Sequence, residues 1–383
     1  MNINQKFIIA THEMFYGVPH ALRDYLLNKR IKKITFIGHT LADQVIDRRK
    51  SSIVVYENGK QIYENHITQD VHGILSYISD FFLNIYWIIK QGKKYNLFIG
   101  IDALNAVAGL LLRKFGKVEK VIFYAMDFHP ARFSSRLLNF LYHKLEEISV
   151  KNSDEIWNVS PKIAEGRERF LHISKINYPQ KVVNSGIWND KVKKFSFDKV
   201  KKHQLLFLGH ILEKQGLQMV LEAMPLIVKK IPDFKFIILG GGEYENNLKK
   251  LADELRIRKY VEFKGWIKNR EVIDTTMGES AAAIVVYVPE KERIYNFSYY
   301  GDPIKIKEYL ASGLPVILTD VPHNAKEIEL RKCGIVVNYK KEEIANAVIK
   351  ILNNEGELKD YRNNALAYAK EFDWNVIFSK AFS

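Results

Sequence analysis

Two kinds of segment alternate through the first half of the chain. Short runs rich in β-branched and aromatic residues are separated by longer amphipathic or apolar stretches. The short runs are KFIIAT (6–11), KITFIGHT (33–40), NLFIGID (96–102), KVIFYAMD (120–127) and EIWNVS (155–160). This alternation predicts a parallel sheet covered by helices. Within it, Asn58-Gly59 separates two apolar runs, which predicts a hairpin at an antiparallel edge of the sheet.

The same rhythm begins again after residue 203. Strand signals recur at 204–211, 234–241, 261–266, 281–289, 315–320 and 334–339, with helical stretches between most of them. They predict a second doubly wound α/β domain. In such sheets ligands bind beyond the carboxyl ends of the strands, so two facing domains predict one site in the cleft between them. The expected division is a first domain at 1–190, a Lys-rich linker at 191–202, a second domain at 203–365 and a C-terminal helix at 366–383 that packs back on the first domain.

Composition limits the function classes. The chain has 383 residues, of which 47% are apolar and 27% charged, so disordered and low-complexity classes are excluded. Cys333 is the one cysteine, which excludes a disulfide framework and cysteine-rich metal sites and indicates a reducing compartment. The formal charge of +14 favours an acidic partner, whether a phosphate, a nucleic acid or an anionic membrane surface.

The chain shows no export or membrane-spanning signal. Its N-terminal segment lacks the apolar run of a secretory signal. The longest apolar stretch, at 74–89, is interrupted by Ser76, Asp80 and Asn84 and is shorter than the ~20 residues that span a bilayer. We therefore expect a cytoplasmic protein that does not cross a membrane.

Three segments of the second domain suit an anionic ligand. FLGHILEKQG places Gly209 at a strand end and Lys214 before a helix, where amides and the helix dipole favour phosphate. Gly240–Gly242 form a similar turn, without the other marks of a dinucleotide or P-loop fingerprint. SYYGDPIKIKEYLASG carries Lys305 and Glu308 one helical turn apart. Each segment also fits a plain tight turn or a solvated surface pair.

Taken together, these segments resemble the retaining, nucleotide-sugar-dependent glycosyltransferases of family four, which have the GT-B fold of two facing Rossmann-like domains. The resemblance rests on the Lys214 segment, the turn at 240–242, VEFKGW (261–266) and the KxxEYLASGLPVI run (305–317). It is strongest from about residue 205 to 320 and weaker elsewhere.

The resemblance implies roles for the matching residues. Lys214 would neutralise the donor diphosphate, and Glu308 would hold the ribose hydroxyls. Gly265 and Trp266 would lie beside the base, and Gly17 would lie near the donor phosphates and the acceptor. The expected donor-binding set is Gly17, Gly209, His210, Lys214, Gly240, Gly241, Gly242, Gly265, Trp266, Gly301, Asp302, Lys305 and Glu308.

Two positions depart from the family pattern. His210 stands where the family has an arginine, so one positive charge on the diphosphate is missing or comes from elsewhere. Tyr300 stands eight residues before Glu308, where the first of two paired glutamates is expected. Asp302 and Glu290 are the alternative replacements, and the contacts to the donor sugar stay open.

Polar residues that follow strands of the first domain are the candidates for the acceptor side. Asp127 and His129 follow the run at 120–127, and Asp127 ends that strand more directly. Such residues also fit turn and helix-capping roles. Catalytic roles are assigned to Asp127, Lys214 and Glu308, and acceptor-side roles to His12, Glu13, Asp102 and His129.

Two helical stretches of the first domain carry apolar stripes. Residues 74–90 place aromatic side chains at helical spacing, and RFSSRLLNFLYHK (132–144) mixes basic with apolar residues. We expect both to pack against the sheet, because such stripes are usually core. Contact with an anionic membrane surface, which would suit a lipid-linked acceptor, is the alternative.

The sequence thus predicts a retaining enzyme that transfers a sugar from a UDP- or GDP-linked donor to an acceptor hydroxyl in glycan, polysaccharide or glycolipid assembly. No metal and no cofactor are expected, since the sequence has no dense carboxylate cluster with cation-ligand spacing. The alternatives are an epimerase or phosphorylase of the same fold, a degenerate transferase that serves as a scaffold, and a nucleic-acid binder, although no RRM or zinc-finger signature is present. The expected location is the cytoplasm, and peripheral contact with the inner face of the membrane is the alternative.

Overall fold

The computed structural model describes residues 2–12, 16–40, 49–289 and 297–383. The chain divides into two compact units, one formed by Met1–Asn184 with Trp374–Ser383 and the other by Ser185–Asp373. The sequence-based boundaries at residues 190 and 366 lie near these division points without coinciding with them. Each unit is a largely parallel sheet with helices in its connections, which confirms the predicted α/β class.

The first unit contains an eight-stranded sheet. Its order is β4-β3-β2-β1-β5-β6-β7-β8, with parallel pairing from β2 through β8. Its strands are β1 (Lys6–Thr11), β2 (Lys33–His39), β3 (Arg49–Glu57), β4 (Lys60–Gln69), β5 (Tyr95–Ile101), β6 (Val118–Ala125), β7 (Glu155–Asn158) and β8 (Lys181–Val182). The strand order reverses at β1 and β5, so the switch point of this sheet lies between their carboxyl ends.

The predicted hairpin is confirmed as β3 and β4, which pair antiparallel at the edge of this sheet. Asn58 and Gly59 form the turn with φ angles of 51° and 80°. A two-residue turn of this hand matches the twist of the flanking strands, which is why Asn-Gly is favoured there. Because β4 runs parallel to β2, it ends at the same edge of the sheet as the central strands.

Helices of the first unit connect these strands and include the last one of the chain. They are α1 (Val18–Asn28), α2 (Ile74–Lys90), α3 (Ala103–Lys114), α4 (Arg136–Asn152), α5 (Pro161–Leu171) and, from the C-terminal segment, α14 (Trp374–Ala381). The ring of Phe382 lies 6.0 Å from that of Phe7 and 5.1 Å from that of Trp157, and Phe378 lies 5.4 Å from Tyr25. The C-terminal segment thereby completes the core of the first unit.

The second unit contains a six-stranded parallel sheet in the order β11-β10-β9-β12-β13-β14. Its strands are β9 (Lys201–Leu208), β10 (Lys235–Leu239), β11 (Val261–Phe263), β12 (Ser280–Val285), β13 (Val316–Leu318) and β14 (Gly334–Val336). This is the 3-2-1-4-5-6 order of dinucleotide-binding domains, and its switch point lies between β9 and β12.

The helices of the second unit bury apolar faces against this sheet. They are α6 (Leu217–Lys230), α7 (Glu245–Glu254), α8 (Arg270–Glu279), α9 (Phe297–Tyr300), α10 (Ile304–Ala311), α11 (Ala325–Leu330), α12 (Lys341–Leu352) and α13 (Glu355–Ala369). Part of the Lys-rich stretch at 191–202 is also ordered, with a 3₁₀ turn at Phe197–Lys199, the buried Val200 and the start of β9. That part belongs to the second core rather than to a solvated linker.

Within the part of the chain that the structure describes, no helix is long and apolar enough to span a bilayer.

Candidate functional site

The loops that leave β9 and β10 touch through their backbones at the edge of the second sheet. Gly209 and Gly240 have φ angles of 145° and 133°, which favour glycine. A Cβ atom on Gly240 would lie 1.9 Å from the carbonyl oxygen of Gly209, so this close approach requires a glycine. The amide of Gly240 donates to the carbonyl of Gly265, 2.9 Å away, which brings in the loop after β11. Three of the glycines expected to bind the donor are therefore neighbours.

An exposed tryptophan covers the next turn. A Cβ atom on Gly241 would lie 2.7 Å from Nε1 of Trp266, and one on Gly242 would lie 2.3 Å from the carbonyl oxygen of Ile211. Trp266 is 68% exposed, and its ring centre lies 5.5 Å from that of His210. A large aromatic face open to solvent beside a glycine turn can stack on a planar base.

Lys305 lies at the switch point of the second sheet. Its Nζ donates to Oε1 of Gln215, 2.8 Å away, and lies 3.2 Å from the position that a Cβ atom on Gly209 would take. The same Nζ lies 4.6 Å from the ring centre of Phe207 and 5.2 Å from that of Tyr287. Burial lowers the pKa of Lys305 to about 7. Among the described residues its hydrogen-bond partner is a neutral amide, and it sits in the first turn of α10, where the helix dipole disfavours a cation.

Lys214 belongs to the same loop cluster. It lies in the 3₁₀ turn at Glu213–Gln215, next to the residue that Lys305 contacts, and its carbonyl accepts from the amide of Val288. Burial lowers the pKa of Lys214, and the nearby charge of Glu243 opposes that shift. The turn is closed by Gly216, where a Cβ atom would lie 1.9 Å from the carbonyl oxygen of Val286. Two lysines therefore belong to this loop cluster, and they lie on different elements.

Glu308 is paired with an arginine that the sequence did not indicate. Oε1 of Glu308 accepts from Nη1 of Arg270 at 2.7 Å, and Nε of Arg270 donates to Asp274 at 2.7 Å. Burial by itself would lower the pKa of Arg270, but the two carboxylates raise it. The pair holds the Glu308 carboxylate in place while leaving its second oxygen to other donors.

The residues near position 300, where the family pattern has the first of its two paired glutamates, are buried. Tyr300 is 2% exposed. The carboxylate of Asp302 is enclosed and bound by Lys307, by Nε2 of His323 at 3.0 Å and by the amide of Ser185 at 2.8 Å. The structure therefore gives Asp302 the role of a buried structural ion pair instead of the expected contact to the donor sugar. Gly301 lies between α9 and α10, and the alternative Glu290 lies outside the described residues.

In the first unit, His12 and Asp102 meet at the switch point between β1 and β5. Nδ1 of His12 lies 2.8 Å from Oδ2 of Asp102, and Asn105 donates to both carboxylate oxygens from its side chain and its amide. Asp102 has φ 73° and ψ 163°, a region that is essentially restricted to glycine. Its side chain is 40% exposed. A strained, partly open carboxylate at a sheet switch point is a candidate to bind a ligand.

A buried network lies behind this pair. Asp80 accepts from Nη2 of Arg49 at 2.6 Å and from Oγ of Ser51 at 3.1 Å, and lies 3.3 Å from Nε2 of His12. Burial alone would lower the pKa of His12, but Asp102 and Asp80 together raise it to about 9. Burial alone would raise the pKa of Asp80, whereas His12 and the neighbouring cations lower it to about 2. His12 is thus a charged residue held between two carboxylates.

Burial and the charge of His12 lower the pKa of His39, the next histidine in this network, to about 4, so His39 stays neutral. It is hydrogen-bonded to Ser51 at 3.0 Å and to Asn84 at 3.1 Å.

Asp127 forms a separate cluster after β6. Nη1 of Arg132 donates to Oδ1 of Asp127 at 3.2 Å, and Nε2 of His129 lies 3.6 Å from Oδ2. Burial by itself would raise the pKa of Asp127, but His129 and Arg132 lower it to about 2. Asp127 is therefore an anion and an acceptor of hydrogen bonds near neutral pH.

Gly17, the remaining residue of the donor set, is the N-cap of α1 with an extended φ of −150°, and Glu13 lies outside the described residues.

Sequence reasoning thus located the loop glycines, both lysines and the polar strand ends. It missed Arg270, Arg49 and Asp80, which join the site through partners on other elements, and Arg132, which binds Asp127 within the same loop. Among the described residues, no group of three or more His, Cys, Asp or Glu side chains could hold a metal ion.

Known proteins resemble the chain in part and in full. Residues 189–368 match the family described as glycosyl transferases group 1. A GDP-mannose-dependent alpha-(1-6)-phosphatidylinositol monomannoside mannosyltransferase of Mycobacterium tuberculosis is 27% identical over 146 residues, which is 38% of this chain and 37% of that protein. The chain spans less than half the length of this relative and of an uncharacterized glycosyltransferase of Haemophilus influenzae, of which 44% is covered at 26% identity.

Solved structures match over the whole chain. Sucrose-phosphate synthase from Thermosynechococcus elongatus superposes with a TM-score of 0.72 at 15% identity, covering 99% of this chain and 98% of that one. HepE from Anabaena, solved in complex with UDP, gives a TM-score of 0.70 at 13% identity and covers 98% of both chains. At such low identity the similarity establishes the fold.

Proposed function

We propose, from the match of residues 189–368 to the group 1 glycosyltransferases and from the GT-B fold of the whole chain, that this protein transfers a sugar from a nucleotide-diphosphate donor to an acceptor hydroxyl with retention. The observation that carries the proposal is the position of Lys305. Its ammonium group lies among glycine turns at the switch point of a dinucleotide-type sheet, and an anionic ligand there would supply the charge partner that the described residues do not.

The donor half of the proposal uses the residues of the second unit. Lys305 and Lys214 neutralise the diphosphate as the bond to the anomeric carbon breaks, and backbone amides of the glycine turns add partial positive charge. Lys305 then supplies a positive charge in place of the arginine that the family has at the position of His210. Glu308, held by Arg270, accepts hydrogen bonds from the ribose hydroxyls, and Trp266 stacks on the base. This arrangement needs no metal ion, and the donor is a UDP- or GDP-linked sugar.

The acceptor half uses the first unit. Asp102 lies at the switch point with an exposed edge, and the His12 imidazolium fixes its orientation through the contact at 2.8 Å. A carboxylate has about four acceptor positions, of which Asn105 and His12 fill three, so Asp102 can take one acceptor hydroxyl. Asp127 is the second carboxylate offered to the sugar or the acceptor. The relatives named above support a glycan or glycolipid acceptor, and peripheral contact with a membrane belongs to the same proposal.

Donor binding is tested first. UDP, GDP, ADP, CMP and dTDP compounds are added to the purified protein, and a ligand of the folded state raises the melting temperature. We expect a nucleotide sugar to do so for the wild type and for Lys350→Ala, an exposed lysine on α12 that serves as control. Lys305→Met should lose the response. If no nucleotide sugar shifts the wild-type melting temperature, the proposal is wrong.

Transfer is tested with the donor so identified. Hydrolysis of the donor to free sugar uses water as acceptor and reports the donor site alone, whereas transfer to octyl glycosides reports both sites. Asp102→Asn should keep hydrolysis and lose transfer. Proton NMR of the product gives the anomeric configuration, and an inverted product would contradict retention.

A further inference from the structure

Helix α2 of the first unit has its apolar side turned to solvent. Its exposed large side chains include Leu75, Ile78, Phe82, Tyr86 and Ile89. At 3.6 residues per turn they fall within an arc of about 80° and extend along about 21 Å of the helix. Leu75 and Phe82 are 60% and 61% exposed. An ordinary surface helix shows the opposite arrangement, with charged and polar residues outward.

The buried side of α2 explains why the helix is inverted. Ser76, Asp80 and Asn84 point inward and are all fully buried. Asp80 binds Arg49, and Asn84 donates to Asn105 at 2.7 Å. The polar face thus serves the network behind His12. Packing within the unit accounts for the polar face of α2 but not for its exposed apolar face. The sequence-based expectation that the apolar residues of this helix pack on the sheet holds for Trp87 and Ile88 and is wrong for Phe82 and Tyr86.

Helix α4 repeats the arrangement. It buries Glu146 and Ser149 and exposes Leu137, Phe140, Leu141 and Ile148. Glu146 is occupied by Nε of Arg167 at 2.7 Å. Helix α3 packs against both α2 and α4, so the two inverted helices flank it on the same side of the sheet. Two neighbouring helices with exposed apolar stripes form a larger apolar area than scattered surface residues do, and such areas mark interaction sites.

Charge indicates what covers this surface. The only acidic residue of α2 is the buried Asp80, so the exposed face of this helix carries no negative charge. Lys90, the last residue of α2, donates to the Tyr86 hydroxyl at the end of the apolar stripe. On α4, Lys144 and Lys151 fall on the same arc as the apolar side chains, with Glu147 bound between them. The chain as a whole carries +14, which opposes the close approach of a second copy and favours an anionic partner.

We propose that the outer faces of α2 and α4 form a membrane-docking surface, in which the apolar stripes enter the headgroup region of an anionic bilayer and the lysines contact its phosphates. Helices with an apolar stripe and lysines beside it bind membranes in this way without spanning them. Both helices begin at the sheet edge where Asp102 and Asp127 lie. If the proposed transfer reaction is correct, docking brings the acceptor-side residues next to lipid-linked acceptors, although docking itself does not depend on that reaction.

The test is co-sedimentation of the full chain with vesicles of phosphatidylcholine alone and of equal parts phosphatidylcholine and phosphatidylglycerol. The wild type should bind the anionic vesicles, and added salt should weaken binding. Phe82→Ser and Phe140→Ser should each bind about tenfold more weakly, since each loses a large apolar side chain. Ile176→Ser, which changes an 83% exposed residue in a loop outside both helices, should bind like the wild type.

Three results would overturn the proposal. They are failure of the wild type to bind anionic vesicles, unchanged binding by the Phe82→Ser, Phe140→Ser double variant, and a wild-type dimer in light scattering that these substitutions convert to monomer. The last result would identify a second copy as the occupant. Donor hydrolysis should stay at the wild-type rate in Phe82→Ser and in Phe140→Ser. Loss of vesicle binding can therefore be told apart from failure of the proposed transfer reaction.

Discussion

The pH dependence of donor binding gives a direct measure of the charge at Lys305. Burial lowers its pKa from 10.5 to about 7, so about half of the free protein carries the charge at pH 7 and about one tenth at pH 8. A bound diphosphate favours the ammonium form and raises the pKa again. Binding above pH 7 therefore takes up a proton, and the dissociation constant should rise about tenfold for each further unit of pH.

The assay is calorimetric titration of the nucleotide sugar that passes the thermal-shift screen, from pH 6.5 to 8.5, in buffers with different ionisation enthalpies. The sugar-linked diphosphate has no free terminal phosphate to titrate in this range. Lys305→Arg keeps its charge at every pH used and should bind without this slope. Lys305→Met should bind weakly at all pH values, also without the slope.

Lys214 is the internal control, because its pKa is also lowered by burial. If Lys214→Ala keeps the wild-type slope, the proton is taken up at Lys305. A wild-type dissociation constant that does not change between pH 6.5 and 8.5 would refute the reasoning, since it would mean that Lys305 is either charged throughout or away from the ligand.

Three further outcomes are expected. Gly240→Ala should lower the free energy of unfolding by about 2 to 4 kcal/mol in urea denaturation, because its Cβ atom would meet the Gly209 carbonyl and its φ is positive. Gly265→Ala, which has open space around it, should lower the free energy of unfolding by only about 1 kcal/mol. Equal losses in the two variants would contradict the close-approach argument. Arg270→Ala should raise the donor KM about tenfold because it releases the Glu308 carboxylate, and Arg270→Lys should recover part of this loss. An unchanged KM would show that Arg270 plays no part in donor binding. Because the pKa of His12 is raised from 6.5 to about 9, its contribution to stability is complete below pH 6.5 and is lost as pH rises through 9. The stability difference between wild type and His12→Gln should therefore narrow by about 3 kcal/mol over that range, and a constant difference would show that His12 is not charged.

The fold was predictable because its signals are local. Strand periodicity, the Asn58-Gly59 turn and the glycines after β9 and β10 each act within a few residues, and the structure places them as predicted. The ends of parallel strands meet at one edge, so Asp102 and His12 could be named together before their 2.8 Å contact was seen.

Partners that come from distant segments were not predictable. Arg270 reaches Glu308 across 38 positions, and nothing in the sequence around either residue indicates the pairing. Asp302 had the appearance of a loop carboxylate, and its burial depends on Lys307 and His323. The inverted helices show the same limit. A hydrophobic period identifies the apolar side of a helix, but only the buried partners of Asp80 and Glu146 show which side faces the sheet.

The return of α14 to the first unit has a consequence for biosynthesis. A ribosome delivers residues in order, and early domains generally fold before later ones are made. Here Phe378 and Phe382, which pack against Tyr25, Phe7 and Trp157, emerge only after all of Ser185–Asp373. The first unit therefore has an incomplete core until the C-terminal segment has been synthesised, whereas the second unit can fold before that point.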